Sequence, residues 1–361
     1  MKKITFPHMG NLYIAAETFF KELGYEVIVP PKNSRKTLDL GMKYSPEFAC
    51  LPLKINIGNF IQALKKGADT IVMGGGVGPC RFGYYCEVQK GILNDLGYDF
   101  QMISLEPEIL KTFNNIRQVM GGVPWTKIYG SGKLAWNKIV AIDEIHKQVL
   151  KSRGQEQKEG TINEIYNKFL ERIQDIWSIR GIKDIKNEYY KLIKEAEGNY
   201  KRGIEIKVGI VGEIYVVIEP FTNLNIEQKL GDLGVTVEKE LYISHWVRQF
   251  LKMDNNHKEV KEAAAPYLRG TVGGHGLDSV GNAVLYAKKG FDGVIQVAPF
   301  TCMPEIVAQS ILPEVNDNED ITVLSLIFDE HTGEAGLKTR LEAFVDLLAR
   351  KKKLKGAVSS G

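Results

Sequence analysis

Short apolar runs alternate with amphipathic stretches from the start of the chain. Residues 3–7 read as a strand, and 12–23 as a helix stopped by Gly24, a residue suited to the left-handed conformation that closes helices. Residues 26–30 read as the next strand. A polar loop follows, then a helix over 53–66 that stops at Gly67. An apolar strand over 69–73 runs into a glycine-rich turn, and a helix over 83–96 and a strand over 100–104 complete the stretch. Strand and helix alternating at this spacing predict a parallel sheet with helices on its faces.

The pattern changes between residues 134 and 203. Ile162, Ile165, Tyr166, Phe169, Ile173 and Ile176 recur at helical spacing, lysines and glutamates fill the other positions, and no proline interrupts. Strand-like character returns over 204–212. A helix over 225–234, a strand over 293–297, a helix over 304–312, a strand over 321–326 and a closing helix over 336–349 follow. The expected fold class is therefore α/β, with two doubly wound parallel-sheet domains of Rossmann or flavodoxin type. They span 1–133 and 204–361 and are joined by the helical segment 134–203. Such a pair is expected to place its site in the cleft between domains.

Composition narrows the function. The chain has 361 residues, 44% hydrophobic and 25% charged, which is the profile of an ordinary globular protein. Its 47 basic residues against 44 acidic ones leave a net charge of +3, and no basic patch interleaved with aromatics accompanies it, so nucleic acid is not an expected partner. No run of 18 apolar residues exists and the opening lacks a long apolar region, so neither a membrane span nor a secretory signal is expected. Four cysteines in this length make no disulfide framework, and a reducing cytoplasm is the expected compartment.

The turn Gly74-Gly75-Gly76-Val77-Gly78-Pro79-Cys80 resembles a phosphate loop but fails the test. The dinucleotide pattern needs glycine at 79, where proline stands. Gly132-Lys133 is followed by Leu134 and lacks the upstream glycine of a P-loop. ATP, if used, is expected to be carried by another protein. The cysteines share a context: Cys50, Cys80 and Cys302 each fall near a proline and just ahead of a helix. A helix start favours a thiolate, and strand ends along one sheet edge converge in space, so soft-ligand chemistry, iron–sulfur or zinc, competes with plain packing of small apolar thiols. Cys86, six residues after Cys80 and inside a helix, is either a fourth ligand or a core residue.

Several longer motifs carry a family resemblance. Residues 78–85 (Gly-Pro-Cys-Arg-Phe-Gly-Tyr-Tyr), 298–305 (Ala-Pro-Phe-Thr-Cys-Met-Pro-Glu), 328–336 and 339–346 are similar to the 2-hydroxyacyl-CoA dehydratase and benzoyl-CoA reductase iron–sulfur superfamily. Gly212-Glu213-Ile214-Tyr215 with Glu219-Pro220-Phe221 fits its activase-related branch. The resemblance implies a [4Fe–4S] cluster on Cys50, Cys80 and Cys302, with Cys86 as the possible fourth ligand. It also implies a separate ATP-dependent activator ATPase that delivers a low-potential electron, passed on to a bound substrate such as an acyl-CoA, and a homodimer or a heterodimer with a related subunit. The alternative is an electron relay or scaffold without turnover of its own.

Catalytic candidates are weaker. Gly273-Gly274-His275-Gly276 reads as a loop over the site or a turn capping a helix at Asp278, and His331 and Glu334 follow a strand end that faces either the cleft or solvent. Arg81 beside Cys80 suits a negatively charged neighbour or a surface ion pair.

Overall fold

The computed structural model describes residues 2–76, 79–105, 117, 121–250 and 257–359. The chain divides into two compact units. The first comprises Met1–Ala141, Ile176–Ile182 and Ile243–Asp254, and the second Ile142–Asp175, Lys183–Tyr242 and Asn255–Gly361.

In the first unit, β1 (Lys3–Thr5), α1 (Leu12–Leu23), β2 (Glu26–Val27), α2 (Arg35–Tyr44), α3 (Leu51–Lys65), β3 (Thr70–Gly74), α4 (Phe82–Asp95) and β4 (Gln101–Leu105) follow in order. The strands are parallel and lie β2-β1-β3-β4. Helices cover both faces. Ile4, Val72 and Ile103 pack with Phe20 and Leu23 on one side, and Ile71 and Met73 pack with Leu53, Phe60 and Leu93 on the other. Each such burial contributes roughly 1.5–3 kcal/mol.

The segment expected to be a polar loop contains α2. Ser34 caps it by accepting a hydrogen bond from the Thr37 amide at 3.4 Å. It is short and largely polar, and glycines let its backbone approach α3 closely. A side chain on Gly41 would sit 1.6 Å from the Lys54 carbonyl oxygen, and one on Gly58 would sit 1.9 Å from that of Thr37.

A long helix, α5 (Trp125–Ser152), begins in the first unit and ends in the second. It leads through a 3₁₀ turn to α6 (Thr161–Gln174) and α7 (Ile179–Glu195), the helical stretch read from the sequence.

The second sheet contains β5 (Ile206–Gly212), β6 (Val235–Lys239), β7 (Gly293–Pro299) and β8 (Thr322–Phe328), parallel and ordered β6-β5-β7-β8. The helices of this half are α8 (Ile214–Ile218), α9 (Ile226–Asp232), α10 (Ile243–Phe250), α11 (His257–Ala264), α12 (Gly276–Lys288), α13 (Met303–Asn318) and α14 (Glu334–Ser359). Of these, α10 belongs to the first unit. Val294 and Ile321 pack against Val280 and Val284 of α12 and Ala308 and Leu312 of α13. Two α/β parallel-sheet units of the same strand order are therefore present.

Two further expectations are corrected. Helix α13 does not stop at Leu312: it runs through Pro313 to Asn318, the proline costing it one internal hydrogen bond. Helix α12 starts at Gly276 with His275 as its cap, two residues ahead of Asp278. No helix among the described residues is long and apolar enough to cross a membrane.

Candidate functional site

In each sheet the chain leaves the first strand to one side and returns on the other, so the order reverses at the carboxyl ends of β1 and β3, and of β5 and β7. Open α/β sheets bind ligands at such reversals. The two reversals carry different chemistry.

In the first unit, His8 follows β1 and is buried; its amide donates to Asn59 Oδ1 at 3.1 Å, its carbonyl accepts from Asn33 Nδ2 at 3.2 Å, and its ring stacks on Tyr13 at 5.5 Å. The glycines after β3 serve close packing: a side chain on Gly83 of α4 would lie 2.6 Å from the Gly76 carbonyl oxygen, and the Phe82 ring lies against Gly74. Val77 and Gly78 of that turn lie outside the described residues.

Beyond the turn, Cys50 caps α3 and its Sγ lies 2.5 Å from the Tyr85 hydroxyl. Arg81 Nη1 donates to the Phe48 carbonyl at 3.0 Å. These two links clamp residues 48–50 to residues 80–85, with Cys80 beside Arg81. Burial, and then the charge of Cys50, holds the Tyr85 phenol far above its usual range, and Cys80 pushes the same way. Cys86 is buried on the core face of α4. Phe48 and Tyr84 flank this edge with 70% and 69% of their surface exposed.

In the second unit, β5 ends at Gly212, whose φ of 142° and whose would-be side chain, 1.9 Å from the Val297 carbonyl oxygen, admit only glycine. Glu213 follows; its amide donates to the Val297 carbonyl at 3.0 Å, and its carboxylate accepts from the Val216 amide at 3.0 Å. At the end of β7, Thr301 takes a φ of 67°, and Cys302, buried, caps α13. One turn later Glu305 is only 1% exposed. Ser279 Oγ lies 3.0 Å from both of its carboxylate oxygens, and Gln296 Nε2 donates to one of them at 2.9 Å. Ser325 Oγ in turn donates to Gln296 Oε1 at 2.8 Å.

Burial raises both carboxyls to about 7; for Glu305 the hydrogen bonds from Gln296 and Ser279 oppose the shift, and the charges of Glu213 and Asp278 add to it. A carboxyl balanced near neutrality can hold or release a proton at working pH. Neither glutamate was singled out from sequence as a site, although both lie inside the quoted motifs. The available signal was a carboxylate placed directly after an apolar strand or inside the first turn of the helix that follows one.

Of the other candidates, His275 adjoins the Glu305 network: its carbonyl accepts from the Ser279 amide at 2.8 Å. His275 is partly buried in the loop before α12. His331 is exposed, its amide donating to Asp329 Oδ1 at 2.9 Å. Glu334 is exposed and pairs with Lys229 at 2.7 Å, which holds its carboxyl below the ordinary range. Among the described residues, no three His, Cys, Asp or Glu side chains are grouped as metal ligands, and Cys302 belongs to a different unit from Cys50 and Cys80.

A family model described as a CoA enzyme activase uncharacterised domain matches residues 7–241. No curated protein matches the chain. The family match corrects the expected role of an iron–sulfur dehydratase component that receives an electron, because the family is described by activation of the enzyme rather than by the enzyme activated. The iron–sulfur and dehydratase assignments lose their support with it.

Proposed function

The chain belongs to the CoA enzyme activase uncharacterised domain family, and on that premise we propose that it is an activating component for an enzyme that works on CoA thioesters. The observation that carries this reading is the match itself, which takes in β2, β3 and β4 of the first unit's sheet and reaches β5 and β6 of the second.

The geometry supports a docking role. Phe48 and Tyr84 are joined through Arg81: its guanidinium binds the Phe48 carbonyl, and its own carbonyl accepts from the Tyr84 amide at 2.9 Å. In the second unit Phe300 is 62% exposed, with Met303 and Ile306 exposed on the α13 start just beyond it. Large apolar side chains left in water at a sheet edge mark surfaces that a partner covers. Activation in this reading is contact with the partner enzyme at these edges. A buried proton-holding carboxyl lies behind one of them.

The test is an acyl-CoA-consuming extract from cells lacking the chain, supplemented with purified protein, with and without ATP and Mg²⁺. Phe48→Ser with Tyr84→Ser should weaken the apparent affinity of activation about tenfold or more. Tyr129→Ser, also highly exposed but on α5, should leave it unchanged. A double variant that activates at the parent's concentration dependence would remove these side chains from the docking surface.

A further inference from the structure

The docking edges of the two units differ in charge. Resting on the activating reading for what docks, we propose that the second unit's edge takes a basic amphipathic segment of the activated enzyme, apolar along one stripe and flanked by lysine or arginine.

The apolar part of this surface is one turn and the helix start that follows it. Phe300 is exposed just beyond β7, and Met303 and Ile306 are exposed one helical turn apart on α13. Glu305 precedes Ile306 in sequence but turns inward to Ser279 and Gln296, so its carboxyl does not interrupt the outward face.

Acidic side chains flank the patch on two sides, and the sequence supplies them without counter-charges. Between Lys289 and Lys338 the chain has nine acidic residues and neither a lysine nor an arginine. That stretch makes β7, α13, β8 and the loop after β8. The Phe300 amide donates to the Phe328 carbonyl at 2.8 Å, which sets the exposed ring beside the end of β8, where Asp329 and Glu330 follow, both partly exposed. Burial works against the charge of Asp329, but hydrogen bonds from the Thr332 hydroxyl at 2.7 Å and the His331 amide at 2.9 Å outweigh it and hold the carboxyl below its ordinary range. On the other side, α12 and α13 meet at their starts: a side chain on Gly276 would lie 2.4 Å from the Pro304 carbonyl oxygen. Asp278 and Glu305, in the first turns of these helices, offset their positive ends. Lys229 is matched by Glu334 at 2.7 Å.

A negative rim around apolar anchors repels nucleic acid and anionic lipid, and it steers and orients lysine and arginine side chains. The apolar stripe of a basic segment then covers Phe300, Met303 and Ile306. The first unit's edge has the opposite sign, because the Arg81 guanidinium is bound there to the Phe48 carbonyl beside Tyr84. A basic segment is therefore directed to the second unit's edge.

Two fluorescent peptides of about 18 residues, about five helical turns, carry leucine on one stripe and either lysine or glutamate elsewhere. Each is titrated with the full chain at low salt, and anisotropy is followed. The lysine peptide is expected to bind and the glutamate peptide to stay free. Ile306→Lys should weaken binding of the lysine peptide about tenfold or more. Ile306→Glu should weaken it far less, since both variants lose the same apolar contact and differ only in charge. Tyr129→Lys, which adds the same charge at an exposed site on α5, should leave binding unchanged. In the add-back assay the two Ile306 variants should separate in the same order. Equal binding of both peptides, no binding of the lysine peptide, or equal effects of Ile306→Lys and Ile306→Glu would overturn the docking proposal. Peptide binding is read without turnover, so a parent that shows the peptide pattern but activates nothing would fault the activating reading instead.

Discussion

Gly58→Ala is expected to destabilise the first unit by about 3 kcal/mol or more. Its added methyl would lie 1.9 Å from the Thr37 carbonyl oxygen and 3.0 Å from the Thr37 methyl, and the obstacle is backbone, which cannot rotate away. The helices α2 and α3 would have to separate, and α3 has almost no free face on which to shift. All of its residues from Leu51 to Ile61 are buried, Phe60 and Ile57 completely. All four tryptophans, Trp125, Trp136, Trp177 and Trp246, lie in the first unit. Indole fluorescence during urea unfolding therefore follows that unit, and its midpoint should fall sharply in the variant. A midpoint within experimental error of the parent would mean that α2 and α3 do not meet at these glycines.

Glu305→Gln is expected to reduce a pH dependence of stability that the parent shows. The buried carboxyl titrates at about 7 in the folded chain against an ordinary value of 4.5, so the fold favours its neutral form. Below 4.5 it is protonated in both states, and its contribution is fully present. As pH rises from 4.5 through 7 the unfolded chain releases the proton first, and that stability is lost. Above 7 the loss levels at roughly 3 kcal/mol. Glutamine keeps the contacts, its carbonyl accepting from Gln296 and its amide donating to the Ser279 hydroxyl. Differential scanning calorimetry at pH 5 and pH 8 should show the parent's second-unit transition falling with pH and the variant's falling clearly less. Glu213, which titrates in the same range and raises Glu305, leaves a smaller slope behind. Equal slopes in parent and variant would show that Glu305 is not held neutral by the fold.

The alternation of strands and helices was legible because each strand is a short apolar run and most helices have a polar face. Where that signal disappears, so did the element. Helix α2 joins α3 through glycines within a short, mostly polar stretch, and α12, read from sequence only as a helix start at Asp278, is buried from Gly276 to Val284 with only Asp278 partly exposed. Strand β6, Val235–Lys239, is short and ends in two charged residues, of which Lys239 is buried against Glu227 at 2.5 Å. That pairing depends on the fold and leaves no mark in the local sequence.

The same limit applies to the site. Cysteines at helix starts can be read from prolines and strand ends. Glu305 acquires its character from Ser279 and Gln296, 26 and 9 residues away, and from burial beneath α12 and β7. His8 owes its place to Asn33 and Asn59 in the same way. The motifs around the cysteines carry a resemblance, but they do not say which side of an activation the chain stands on. The family match over residues 7–241 supplies that direction.

The account rests on the chain activating an enzyme of CoA thioesters, and depletion with add-back tests it most directly. Turnover of a panel of acyl-CoA substrates is followed in an extract of cells lacking the chain, before and after purified protein is restored with ATP and Mg²⁺. The account predicts that consumption of at least one acyl-CoA rises about tenfold or more on add-back and saturates with added protein. Unchanged turnover of every acyl-CoA in the panel, with the added protein folded and intact, would contradict it.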